Sequence, residues 1–165
     1  MALDLRTGAT RWVTEPRHTV HSVAASGGVA YIEERGLGLT ARAIVTGETP
    51  WIADGLEIDH LAVGDGRIVA TGARRAYGLD PADGSVVWTL GEAERTTFGQ
   101  PAIADEVAYL LTDRGLVAHA LDDGTELLRV HDDDLDLSVL RGRAPLPFDD
   151  LLLVFDHGGV LRAYR

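Results

Sequence analysis

The sequence predicts an all-β fold built from repeated four-stranded units, on three observations. First, four segments share one internal spacing: Ala2–Trp12, Ala41–Trp51, Gly78–Trp88 and Ala118–Leu128. Each begins with a small residue and reaches Thr-Gly or Asp-Gly, with a Trp or Leu four residues after the glycine. The glycines fall at 8, 47, 84 and 124, and a shared period near 40 residues is the mark of a repeat architecture. Second, short β-prone runs are separated by Gly- and Asp-rich turns, with no sustained 3.6-residue periodicity. Third, about 40 residues and four strands per unit is the size of one β-propeller blade.

The third unit shows the order of elements best. Ala102–Ala104 leads to the turn Asp105-Glu106, and Val107–Thr112 alternates as a second strand. Asp113-Arg114-Gly115 turns the chain into a third strand, Leu116–Leu121. Asp122-Asp123-Gly124 turns it again before a fourth, Thr125–Val130. Matching turn signals stand at Ser26-Gly27-Gly28, Gly64-Asp65-Gly66 and Asp149-Asp150, then at Arg35-Gly36, Gly72 and His157-Gly158-Gly159. The predicted units run over 21–52, 60–89 and 98–130, and a fourth over 143–165 is completed by 2–13. This last pairing follows from register: Ala163-Tyr164-Arg165 aligns with Ala2-Leu3-Asp4. Pairing the two ends within one blade removes open sheet edges. The chain is therefore expected to be one domain, either a closed four-blade toroid, half of an eight-blade assembly, or a fragment of a larger propeller.

The repeated glycine and aromatic have a physical reason. Glycine permits a turn at positive φ, and the neighbouring Asp or Thr bonds the turn backbone. Four residues on, a tryptophan on the last strand offers a large flat surface to the adjacent blade. Trp12, Trp51 and Trp88, with Gly8, Gly47, Gly84 and Gly124, are thus expected to be blade-docking residues and not a cofactor platform. Leu128 replaces the aromatic in one unit, and Ala43 and Ala120 stand where Asp4 and Asp80 occur in the others, so looser junctions are expected there.

Composition narrows the function. The chain has 165 residues, 45% of them hydrophobic and 25% charged, which is enough for a packed core. No apolar run is long enough for a transmembrane helix, and MALDLRTG has no apolar segment behind a basic one, so no secretory signal is expected. With no cysteine, disulfides, Cys-ligated zinc and Cys nucleophiles are excluded. The 26 acidic residues outnumber 15 basic ones, giving a net charge of −11 that disfavours nucleic acid. The absence of Lys and Asn, with abundant Ala, Gly, Arg and Asp, reads as genome composition ahead of adaptation to high salt.

Ala2-Leu3-Asp4-Leu5-Arg6-Thr7-Gly8-Ala9-Thr10-Arg11-Trp12 resembles the tryptophan-docking motif of PQQ-like (quinoprotein-type) β-propeller repeats. Gly99–Tyr109 resembles the stretch that opens such a repeat. The resemblance covers nearly the whole chain and implies the fold, similar to outer-membrane assembly scaffold propellers. It leaves the activity open, because the family also includes quinone-dependent alcohol dehydrogenases and sensor domains of bacterial envelope receptors and kinases. Its members lean towards the cell envelope or secretion. A dehydrogenase of that class would need a quinone and a calcium ion; relatives commonly use an Asn ligand and a vicinal disulfide, and this chain has neither Asn nor Cys.

No catalytic constellation stands out. Asp132, Asp134 and Asp136 match the first positions of a calcium loop, but Leu137 and Arg143 occupy the places of its Gly and Glu. His18, His21, His60, His119, His131 and His157 form no ligand pair on one element, and neither a Gly-x-Ser-x-Gly nor a phosphate-binding loop occurs. No cofactor or metal is expected. Binding is the reading left: the innermost strands of a propeller line its channel, and their leading ends form a rim. Counting back six and five residues from each first turn singles out His21, Asp59, His60, Gln100 and Arg143 as rim positions. The expected function is a non-enzymatic binding or scaffold module for a protein or a small ligand at this rim or the loop face, with a homodimer as an option. A quinone- and calcium-dependent dehydrogenase and a receptor sensor domain are the alternatives.

Overall fold

In the computed structural model, which describes residues 1–13, 19–91, 96–130, 144–155 and 160–164, the described residues form 17 strands. Three four-stranded antiparallel meanders follow one another. The first holds β3 (Val20–Ser26), β4 (Val29–Glu34), β5 (Gly38–Ala43) and β6 (Ile52–Asp54). The second holds β7 (His60–Gly64), β8 (Arg67–Thr71), β9 (Ala76–Leu79) and β10 (Val86–Leu90). The third holds β11 (Ala102–Ala104), β12 (Val107–Thr112), β13 (Gly115–Ala120) and β14 (Glu126–Val130). Before them, β1 (Ala2–Leu3) pairs with β2 (Thr10–Trp12); after them, β15 (Leu146–Phe148), β16 (Leu151–Phe155) and β17 (Leu161–Tyr164) form a three-stranded sheet. The innermost strands touch in sequence, β3 to β7, β7 to β11 and β11 to β15. This is the all-β propeller architecture that the repeat predicts, with Ala102–Ala104 and Val107–Thr112 at the expected bounds.

Alternation explains why the middle strands of each blade are mostly apolar on both faces. On β8, Ile68 and Ala70 face the first blade, while Val69 faces the third. On β12, Ala108 and Leu110 pack towards the second blade, and Leu111 packs towards Leu152 and Val154 of the last sheet. A strand buried on both faces loses its polar face, so the cores lie at the blade junctions and not within blades.

Three tryptophans reach across to the next blade. Trp12 donates its indole N–H to the Ile44 carbonyl at 2.8 Å, Trp51 to Pro81 at 3.1 Å and Trp88 to Leu121 at 2.9 Å, in each case one blade onward. The ring lies on the repeated glycine of that next turn: a Cβ on Gly47, Gly84 or Gly124 would stand within 3.0 Å of Trp12, Trp51 or Trp88. These glycines have φ between +75° and +78°, a conformation in which a Cβ is also strained. Ala43 and Ala120 keep the turn that Asp4 and Asp80 form. The turn closes through the same backbone bond, glycine N–H to the carbonyl four residues earlier, at 2.8–3.0 Å in all four repeats.

Two features differ from this pattern. At Gly8, where φ is +70°, nothing lies within 4 Å of the Cβ position, so this turn carries no aromatic. Leu128 is 50% exposed. Among the described residues, β2 pairs only with β1, and no pairing joins it to β17.

Candidate functional site

An antiparallel meander sends its turns alternately to two faces. The face carrying the second-to-third-strand turns and the links between blades also carries the leading ends of the innermost strands. There, between the first two full blades, lies a cavity of about 430 Å³. Its floor comes from β3 and β4 through His21 and Glu33. Its walls come from the β4–β5 turn (Arg35, Leu37) and the link to the second blade (Leu56, Glu57, Ile58, Asp59).

Glu33 is the unusual member. It is only 3% exposed, and its carboxylate accepts one hydrogen bond, from the His21 backbone N–H at 3.0 Å. The His21 ring stands 4.0 Å away. Burial pushes the Glu33 carboxyl above the usual glutamate range, and the bond from His21 opposes it. Counting six residues on from the first turn of each blade places Thr71, Leu111 and Phe155 at the positions equivalent to Glu33. Thr71 and Leu111 are fully buried, and Thr71 donates its hydroxyl to the Gly99 carbonyl across the next junction at 2.8 Å. Blade packing is therefore met by a hydroxyl or a hydrocarbon at this place, and a carboxylate is not required for it.

Of the rim residues read from the sequence, the structure brings His21 and Asp59 together in this cavity. His60 follows Asp59 at the head of β7; it is half-buried, and burial lowers its imidazole while Asp59 opposes the shift. His21 lies inside β3 and not ahead of it. Gln100 is half-buried at the next junction, outside the cavity wall. Arg143, Asp132, Asp134, Asp136, His18, His131 and His157 lie outside the described residues. Glu33, Arg35 and Glu57 were missed by rim counting. Comparison of equivalent positions across the repeats would have found Glu33, since it is the one acid among Glu33, Thr71, Leu111 and Phe155.

A second cavity of about 390 Å³ lies between the second and third blades and includes Thr96, Thr112, His119, Glu126 and Arg129. His119 is buried there, donates from Nδ1 to the Gly124 carbonyl at 2.9 Å, and is lowered by its burial. It braces the turn on which Trp88 sits. Among the described residues, no three His, Asp or Glu side chains are grouped so as to hold a metal ion, and no helix is long and apolar enough to cross a membrane.

Residues 46–165 match a family described as outer membrane protein assembly factor BamB. No curated protein matches the chain. Among solved structures, BamB from Moraxella catarrhalis superposes with a TM-score of 0.76 at 18% identity, over 93% of this chain and 49% of that one. The chain thus spans about half the length of that BamB. The computationally designed Ika4 protein superposes with a TM-score of 0.78 at 14% identity, over 96% of this chain and 98% of its own. Quinohemoprotein alcohol dehydrogenase ADHIIG from Pseudomonas putida HK5 gives a TM-score of 0.66 at 14% identity, over 86% and 29%. At such identities the likeness is one of fold.

Proposed function

Because the chain belongs to the family described as outer membrane protein assembly factor BamB, we propose that it is a non-enzymatic β-propeller module. It binds a protein partner through the face that carries the cavity between its first two full blades. The observation that carries this reading is Glu33: a buried carboxylate, opening on a cavity, at a position that sister repeats fill with Thr71 and Leu111. Burying a charge with one hydrogen bond costs stability, so its presence favours a binding role over a packing role. His21 and Asp59 line the same cavity, and His60 stands beside it. Rigid blades carry these groups, so binding calls for little change of shape.

A quinone- and calcium-dependent dehydrogenase suits the residues less well. Such a site calls for several oxygen ligands around one ion, and the described residues offer no grouped set of three acids or histidines. Among the described residues, the donor chemistry therefore does not fit the cofactor.

Site-specific photo-crosslinking tests the binding reading. A crosslinker at His60, on the cavity face, is expected to trap one discrete protein species in extracts of the native host. A crosslinker at Val87, on the outer strand β10, is not. Equal trapping from both positions, or none from His60, overturns the reading.

The same support extends to the incomplete sheets. The 143–165 unit is completed by a 2–13 segment, from the same chain or a second copy. Among the described residues, the two-stranded sheet of β1 and β2 and the open Gly8 turn support this.

A further inference from the structure

We propose that the cavity between the first two full blades is a socket for one basic side chain, arginine or lysine, supplied by the partner protein. The proposal rests on the reading that this face binds a protein, and it names the chemistry of the contact. Three carboxylates border the cavity, Glu33, Glu57 and Asp59, against one guanidinium, Arg35. Among the described residues, Glu57, Asp59 and Arg35 form no ion pair; Glu33 touches His21, and of the nearby charges Arg35 favours its carboxylate while Asp59 opposes it. The wall is thus short of positive charge, and its deepest acid is the one water reaches least.

A carboxylate accepts up to about four hydrogen bonds, and Glu33 uses one. An incoming guanidinium or ammonium supplies further donors and an opposite charge together, the stronger kind of hydrogen bond. Leu37, Leu56 and Ile58 in the same wall match the hydrocarbon stem of such a side chain. A buried basic anchor within a mostly neutral contact is also how protein interfaces concentrate their binding energy. The internal repeat provides the control. At the next junction Thr71 takes the place of Glu33 and is satisfied by Gly99, so no buried acid stands at the equivalent position there.

The test titrates the ¹⁵N-labelled chain with N-acetyl-arginine amide and, separately, with N-acetyl-citrulline amide, its neutral isostere, and follows backbone amide shifts. The arginine derivative is expected to move His21, Leu37, Gly55 and Ile58 in a saturable way, and the citrulline derivative to leave them unmoved. Glu33→Gln is expected to weaken arginine binding about tenfold, the loss of one charge-assisted hydrogen bond. Glu33→Thr, which places a sister repeat's residue at the site, provides a second variant that the blade accommodates. Equal shifts from both probes, no shifts from either, or unchanged binding in both variants overturns the socket. The titration needs no partner. Its failure leaves crosslinks from His60 standing, and failure of the crosslinks leaves a basic-ligand pocket standing.

Discussion

At the scale of the residue, Glu33 and the tryptophans show two ways in which one side chain departs from its surroundings. Trp51 and Trp88 bury an aromatic surface and satisfy an indole N–H on the carbonyl of the next blade. Trp12 does the same near the surface, held between Gly47 and the Arg42 guanidinium, which stands 5.9 Å from the ring centre. Glu33 instead holds a charge where packing asks for none. Its folded-state carboxyl is raised by burial, so the native protein binds a proton more tightly there than the unfolded chain does. The stability this group allows is greatest at low pH and falls as pH rises through its raised value. Glu33→Thr removes that loss. Its gain in melting temperature over the wild type is expected to be small near pH 4 and to grow towards about pH 7, read by thermal melts across that range. A constant difference across the range would show that Glu33 is not buried as a titrating acid.

At the scale of the element, the same position in successive blades does different work according to whether the next blade offers a seat. Trp88 is 6% exposed and rests on Gly124, whereas Leu128, its counterpart one repeat later, is 50% exposed. Trp88→Ala is expected to cost about 3–5 kcal/mol, the range for a large buried aromatic. Leu128→Ala, measured in dilute solution, is expected to cost less than about 1 kcal/mol, as surface substitutions do. Urea denaturation followed by circular dichroism compares the two, and similar costs would mean that Leu128 is seated too. The first-turn residues follow a related economy. Asp65, Asp105, Glu106 and Asp149 adopt φ between 47° and 61°, as the tight hairpins between first and second strands demand. Gly27 and Gly28 meet the same demand in the first blade without that strain.

At the scale of the whole molecule, the described residues form a sequence of blades whose first sheet has two strands and whose last has three. Leu146, Phe148 and Leu161 of the last sheet are exposed. Sheets that expose apolar side chains associate. Light scattering behind a sizing column is expected to give a mass that rises with concentration towards that of two copies, and Leu128→Arg is expected to reduce the rise. A mass fixed at one copy at every concentration would exclude completion of the terminal blade by a second copy.

The period near 40 residues, the glycine turns and the docking tryptophans were legible in the chain itself, because each rests on local chemistry or on a contact repeated at constant spacing. A turn at positive φ calls for glycine wherever it occurs, and a stack of like blades writes the same anchor into each unit. His21 and Asp59 were singled out as equivalent positions counted from a turn. Only the tertiary structure decided that these two face one cavity while Gln100 does not, and that Glu33 lies beneath them. It also decided that the Gly8 turn stays vacant while its three counterparts are filled. Those outcomes depend on how one blade meets the next, and His21 and Asp59, which meet at this junction, lie 38 residues apart in the chain. Spacing within a repeat records what every blade shares; a site arises where one blade differs, and its neighbours in space settle what that difference does.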